Sequence, residues 1–132
     1  MTTLRVGIAS YEQMKARTVA IARGEYKPAA GEPKVWFTSA ESFARILSDR
    51  NRALLGIIAE STPESLARLA ELSGRKKSNL SRTLKTMERY GFVHLSRGVR
   101  GSVIPRVPYR RISVTLQLPT PVRQGRQGTE AA

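Results

Sequence analysis

The chain has 132 residues and a net charge of +13, and this length fits one compact domain with short extensions. It contains no cysteine, which excludes disulfide bonds, thiolate zinc sites and thiol redox sensing. Residues 75–126 carry thirteen Lys or Arg against one acid, Glu88, and such a basic segment is typical of proteins that bind a polyphosphate backbone.

The first 34 residues are predicted to be an arm appended to the domain. Ser10 and Gln13 form a capping-box pattern at the start of a helix that Gly24 ends. Four residues of this helix recur at helical spacing: Tyr11, Met14, Thr18 and Ile21. The Gly and Pro residues at positions 24–34 predict a linker. We expect the arm, which extends to residue 37, to contact a second copy of the chain or a partner.

The predicted domain covers residues 38–118 and begins with helices. Thr38 and Glu41 form a second capping box, and the apolar residues that follow predict one helix, or two broken near Ser48-Asp49. The run Thr62-Pro63-Glu64 combines a hydroxyl cap, a proline at the first helical position and an acid in the first turn. A helix is expected to begin there and to end at Ser73-Gly74.

A further helix follows after a short glycine-containing connection, and the two helices are a helix-turn-helix candidate. Leu80, Leu84 and Met87 fall on the inward face of this second helix. Its other side is rich in hydrogen-bond donors and positive charge. The alternative interpretation is a solvated helix face, but such a face normally carries charges of both signs. The predicted DNA contacts of this helix are Lys76, Lys77, Ser78, Asn79, Ser81, Arg82, Lys85 and Arg89.

These predicted contacts have different roles. Arg is suited to bidentate contact with guanine and Asn to contact with adenine, so Arg82, Asn79 and Ser81 are the expected base readers. Lysines more often position a protein on phosphates, which is the role expected for Lys76, Lys77 and Lys85.

After Gly91 the pattern changes from helical to alternating. Residues 92–97 and 111–118 are strand-like runs that bracket a segment with two glycines and two prolines, and this predicts a long-looped hairpin. Its arginines are expected to contact the minor groove or flanking phosphates, the alternative being a structural hairpin that they only solubilise. The predicted contacts are Arg97, Arg100, Arg106 and Arg110, with Arg111 at the start of the second run.

The run from Pro63 to Val93 resembles the winged helix-turn-helix of MarR-type and related prokaryotic regulators. In that family a Leu-Ala-x-Leu helix leads to a Ser/Arg-rich recognition helix that ends in Leu-x-x-x-Gly-Leu-Val. Met87-Glu88-Arg89-Tyr90-Gly91-Phe92-Val93 occupies the closing segment here. The resemblance covers roughly residues 40–118. It implies an α+β fold with a three-helix core and a β-hairpin wing, here joined to an N-terminal helical arm.

The resemblance also implies a repressor that binds double-stranded DNA as a homodimer. The chain departs from the family after the wing, because residues 119–132 have the composition of a disordered tail rather than of a dimerisation helix. The whole chain, with its short N-terminal helix, its Gly24-Glu25-Tyr26-Lys27-Pro28 linker and the run Val35-Trp36-Phe37, is similar to a group of small prokaryotic DNA-binding proteins, some of which resemble antitoxins. An antitoxin that binds a small protein toxin and a nonspecific architectural protein are therefore the alternatives to a sequence-specific regulator.

No catalytic, metal or cofactor site is predicted. The only histidine, His94, lies in an apolar run and is expected to be a half-exposed strand residue. The sequence has no acid pair, no nucleophile–base pair and no phosphate-cradling glycine loop. The longest apolar run, residues 53–59, is too short to cross a bilayer, so we expect a soluble cytoplasmic protein with no membrane partner.

Overall fold

The computed structural model describes residues 3–118, in which four successive helices lie between an N-terminal β-α-β unit and three C-terminal strands. The elements in order are β1 (Thr3–Ile8), α1 (Tyr11–Ala22), β2 (Val35–Phe37), α2 (Ala40–Ile46), α3 (Asp49–Ser61), α4 (Leu66–Ser73), α5 (Lys77–Arg89), β3 (His94–Arg97), β4 (Val103–Arg106) and β5 (Arg111–Leu116). This mixture agrees with the α+β class expected from the sequence. The predicted tail, residues 119–132, lies outside the described residues.

Three parallel strands form a sheet in the order β2-β1-β5. The chain passes from β1 through α1 to β2, and this crossover through a helix is the usual way to join parallel strands. The prediction that the first 34 residues are appended to the domain is wrong for β1, which is the central strand. Val6 and Ile8 alternate with Arg5 and Gly7, so one face of β1 is apolar and joins the buried core.

The predicted long-looped hairpin is also wrong. β3 pairs with β4 in antiparallel fashion, and a single turn at Val99–Gly101 joins them. Gly101 supplies the positive φ of +74° that this tight turn requires. The hairpin therefore closes before residue 111 is reached. β5 instead pairs in parallel with β1, where Ile112 lies beside Leu4 and packs against the core.

Serine hydroxyls fix the start of each helix from α1 to α4. The predicted cap of α1 is confirmed, because the Ser10 hydroxyl accepts a hydrogen bond from the backbone N–H of Gln13. Ser39, one residue beyond the predicted Thr38, caps α2. Ser48 caps α3, which confirms the alternative of two helices broken at this point.

The helix that was predicted to begin at Thr62-Pro63-Glu64 begins three residues later. Thr62 ends α3 in a left-handed conformation, with φ of 41°, and the hydroxyl of Ser65 caps α4 by accepting from the N–H of Arg68. The predicted end of this helix is confirmed, since Gly74 follows it with φ of +75°.

One continuous core joins the helices to the sheet. The ring of Phe37, on β2, stacks on Tyr90 with centroids 4.8 Å apart and meets the edge of Phe43 at 5.5 Å. The buried hydroxyl of Tyr109 donates a hydrogen bond to the carbonyl of Phe92. Because these contacts surround the C-terminal end of α5, they fix its orientation relative to the sheet.

Helix α1 lies on the opposite face of the sheet. A groove between them is lined by Met14, Arg17, Trp36 and Thr115 among others. The guanidinium of Arg17 lies 5.1 Å from the centroid of the Trp36 ring and forms a 2.9 Å ion pair with Glu32. Of the predicted contact stripe, Tyr11 and Thr18 are exposed in the single chain, whereas Met14 and Ile21 are half-buried. A contact of this stripe with a second copy or a partner stays a prediction.

Candidate functional site

Helix α5 buries one side and exposes the other. Leu80, Leu84 and Met87 are buried, as the helical spacing predicted. Ser81 is half-buried, so this predicted base reader is partly covered by the fold. The remaining predicted contacts on or beside α5 are exposed: Lys76, Lys77, Ser78, Asn79, Arg82, Lys85 and Arg89.

The positive charges of this exposed face are not neutralised by neighbouring acids. The four ion pairs in residues 3–118 are Arg17–Glu32, Arg52–Asp49, Arg68–Glu71 and Arg110–Glu60, and none of them includes a residue of α5. Within the face, the Nη2 of Arg82 donates to the Oδ1 of Asn79 at 3.1 Å. Two of the three predicted base readers are thus held together by a hydrogen bond.

A basic cleft of about 480 Å³ opens between α5 and the start of α3. No acidic side chain of the described residues lines this cleft. The arginines that line it are Arg45, Arg50, Arg75 and Arg82. Asn79, Thr83 and Thr86 add polar groups from the same side of α5. Arg82 therefore belongs both to the exposed face of α5 and to this cleft.

Arg75 holds the connection between α4 and α5 against α3. Its Nη2 donates to the backbone carbonyl of Arg50 at 2.9 Å and to the Oδ1 of Asn51 at 3.1 Å. Burial, and after it the charge of Arg50, lowers the pKa of Arg75. Guanidinium groups held close together in this way favour an anion between them, because it offsets their mutual repulsion.

Sequence reasoning did not assign Arg45, Arg50 or Arg75 to the site. Arg45 and Arg50 precede the predicted helix-turn-helix, and only the break between α2 and α3 turns them toward α5. The sequence signal that could have found them is their position on either side of Ser48, the residue that caps α3.

Two of the predicted hairpin arginines lie near the hairpin tip. The Nη1 of Arg97 donates to the carbonyl of Gly101 at 3.2 Å, which braces the turn. Arg100 is exposed and has φ of 59°, a left-handed conformation that is uncommon for a residue with a side chain. The neighbouring Val99 is also exposed, so the tip presents one cation beside an apolar side chain.

The other predicted hairpin arginines lie elsewhere. The Nη1 of Arg106 donates to the carbonyl of Pro63 at 2.7 Å and is half-buried, so it ties β4 to the segment before α4. Arg110 lies 3.7 Å from Glu60, near the end of α3, and Arg111 lies on β5 beside Thr3. The structure does not bring these three residues together with Arg97 and Arg100.

His94 is exposed on β3, and no group of three or more His, Cys, Asp or Glu is placed to hold a metal ion within residues 3–118. Across the same residues, no helix has the length and apolar character needed to cross a membrane.

The fold and the exposed basic helix define a small mixed α/β protein with a cationic face. A sequence-family model named HVO_A0114 matches residues 46–114, which is more than half of the chain. The chain therefore belongs to the HVO_A0114 family. The match extends from the end of α2 into β5 and so includes α5, its cleft and the hairpin. No curated protein and no solved structure matches the chain.

Proposed function

We propose that the chain is a winged helix-turn-helix regulator that binds double-stranded DNA. In this proposal α4 and α5 are the helix-turn-helix, α5 is the recognition helix, and the β3–β4 hairpin is the wing. The proposal is supported by the order of elements, in which three helices are followed by an antiparallel hairpin, and by the short connection between Ser73 and Lys77.

The cationic surface formed by the exposed face of α5 and the adjoining cleft is the observation that carries this proposal. The face is free of ion pairs among the described residues, and the cleft beside it is lined by arginines without an acid. The major groove of DNA is about 12 Å wide and admits one α-helix between two rows of phosphates. A helix with base-reading side chains and cations beside it is matched to that environment.

Each part of this surface has a role in the proposed complex. Arg82 and Asn79 contact base edges in the major groove, and their mutual hydrogen bond orients both side chains before DNA is bound. Lys77, Lys85 and the other three cleft arginines, Arg45, Arg50 and Arg75, bind phosphates. Arg97 and Arg100 contact the backbone or minor groove beside the recognition helix.

Regulation in this proposal comes from occupying a site on DNA, and the protein performs no catalysis. The simplest regulator of this kind is a repressor that binds as a dimer. Two recognition helices then read half-sites about 34–36 Å apart, and the DNA site is palindromic because the dimer has twofold symmetry.

Selection of bound sites from random duplex DNA tests this function, with the expectation that a palindromic consensus is enriched. The binding of Arg82→Ala is then measured by fluorescence anisotropy on the consensus and on a random duplex. We expect a loss of about 1–3 kcal/mol on the consensus and a smaller loss on the random duplex. Arg23→Ala is the control, because Arg23 is an exposed arginine at the end of α1, across the sheet from α5.

Two outcomes would contradict the proposal. If no sequence is enriched and Arg82→Ala weakens both duplexes equally, α5 does not read sequence and a nonspecific architectural role replaces the regulator. If the protein binds no duplex at all, the proposal of a DNA-binding protein fails as a whole.

A further inference from the structure

In the described part of the chain, β5 pairs with a strand on one side only, because the sheet order is β2-β1-β5. Its apolar side chains are also uncovered. Val114 and Leu116 lie beside the buried Val6 and Ile8 on the core face of the sheet, yet they are 44% and 59% exposed. An edge strand with exposed apolar side chains is suited to pairing with a further strand.

The backbone of β5 presents a regular set of donors and acceptors along this edge. The N–H of Gln117 donates to the carbonyl of Ile8, so residue 117 directs its backbone groups toward β1. The direction alternates along a strand, and the N–H and C=O groups of Ile112, Val114 and Leu116 therefore point away from β1. These are the groups that an added strand would bind.

The sequence of this strand is nearly symmetric about Val114. It runs Arg-Ile-Ser-Val-Thr-Leu-Gln from residue 111 to residue 117. If two copies pair in antiparallel fashion about Val114, Ile112 lies opposite Leu116 and Ser113 lies opposite Thr115. Apolar side chains then face apolar ones, hydroxyls face hydroxyls, and the two cations at position 111 lie at opposite ends of the pair.

We infer that this free edge joins two copies of the chain into a homodimer, with antiparallel β5 strands related by a twofold axis at Val114. The two three-stranded sheets then form one six-stranded sheet. Paired side chains in a continuous sheet lie on the same face, so the core faces of both copies, and with them both sets of helices α2–α5, lie on one side. The inference deepens the proposed function by naming the interface of the dimer, and it does not depend on DNA binding, so mass measurements can contradict it while duplex binding holds.

The neighbouring registers fit this strand less well. A register centred on Ser113 places the cation of Arg110 opposite the apolar Leu116. A register centred on Thr115 requires the backbone of Leu118 to pair with Ile112, but the carbonyl of Leu118 accepts a hydrogen bond from the Nε2 of Gln13 at 2.9 Å. The register centred on Val114 pairs residues 112–116 without either conflict, and Arg110 meets Leu118 only beyond the two ends of β5.

Charge substitutions at the proposed twofold axis test this inference on the full chain. Light scattering after size-exclusion chromatography should give the wild type twice the mass of one chain. Val114→Lys and Val114→Glu should each have the mass of one chain, because like charges meet at the axis. An equimolar mixture of the two should regain the doubled mass. Val19→Lys on α1 is the matched control, since Val19 is 39% exposed and should leave the dimer intact.

Cross-linking provides a second measurement that adds no charge to the strand. The chain contains no cysteine, so a single introduced thiol is unique. In the proposed register Val114 faces its own copy as a hydrogen-bonded pair, with a Cα separation of about 5.5 Å. The Cβ atoms of such a pair are further apart than a disulfide prefers, so a short bismaleimide linker is used to join the two thiols. Val114→Cys treated with the linker should run as a covalent dimer, and Val19→Cys should stay a single chain.

Four outcomes would overturn the inference. A wild-type chain with the mass of a monomer contradicts the dimer. If deletion of residues 119–132 then doubled that mass, the edge of β5 would be occupied by the chain's own C-terminal segment. A Val114→Lys variant that stays dimeric places the interface elsewhere, and dissociation by Val19→Lys would place it on α1. A mixture of the two charged variants that stays monomeric contradicts the register at Val114.

Discussion

At the scale of single residues, Tyr109 shows how a side chain from one segment fixes another. Its ring lies in the interior, and its hydroxyl donates to the carbonyl of Phe92 immediately after α5. Burial raises the pKa of this hydroxyl, because the charged phenolate would lose its hydration. The folded protein therefore keeps Tyr109 protonated at a pH where the unfolded chain releases the proton.

We predict that Tyr109→Phe lowers the free energy of unfolding by about 1 kcal/mol at neutral pH, because the carbonyl of Phe92 loses its donor. The effect of pH follows from the raised pKa. The stability that depends on protonated Tyr109 is fully present below the unfolded pKa of about 10, and it is lost as the pH rises above that value. The wild type should therefore lose stability above pH ~10 more steeply than the variant does.

Urea unfolding measured at intervals from neutral pH to about pH 11 checks this prediction. Tyr11→Phe is the control, since Tyr11 is exposed and its substitution should change neither the stability nor its pH dependence. Parallel pH profiles for the wild type and Tyr109→Phe would show that burial of this hydroxyl does not control alkaline stability.

Single residues also show where sequence reasoning reaches its limit. Arg100 and Arg106 both lie between the two predicted strands, but Arg106 is held by the carbonyl of Pro63, which lies 43 positions away. No local pattern indicates that partner. Arg45 was missed for the same reason, because its place in the cleft depends on where α2 lies relative to α5.

At the scale of elements, helices were more predictable than strand partners. The spacing of Leu80, Leu84 and Met87 is a local property, and it gave the buried face of α5 correctly. Strand β1 was missed although Leu4, Val6 and Ile8 alternate with Arg5 and Gly7, which is a usable signal. The partner of β5 has no local sequence signal, because β5 pairs in parallel with β1, which lies at the opposite end of the described chain.

The hairpin gives a prediction at this scale. Arg100→Asn removes the cation at the tip and keeps a residue that tolerates positive φ. We predict that it weakens binding to a preferred and to a random duplex by similar factors, because phosphate contacts carry no sequence information. The slope of log K against log salt should become shallower by about one unit, because the variant neutralises one phosphate fewer.

Anisotropy titrations on both duplexes at several salt concentrations check this prediction, with Arg23→Asn as the charge-matched control. A variant with the wild-type affinity and salt slope would show that the hairpin tip does not contact DNA. A loss of affinity confined to the preferred duplex would instead assign Arg100 to base recognition.

At the scale of the whole molecule, the sheet separates two kinds of surface. On one side α1 covers the sheet, and its Arg17 is neutralised by Glu32. On the other side the helices present the unpaired cations of α5 and the arginine-lined cleft. Part of the charge imbalance seen in the sequence therefore lies on this surface, through Arg75, Lys77, Arg82 and Lys85.

The salt dependence of duplex binding tests the central claim most directly, because a cationic surface that binds phosphates must release counterions from the DNA. The affinity of the wild-type chain for a duplex is measured by anisotropy from low to moderate salt. If a dimer neutralises roughly six to ten phosphates, log K should fall with log salt at a slope of about −5 to −9. A nearly flat salt dependence would contradict the account.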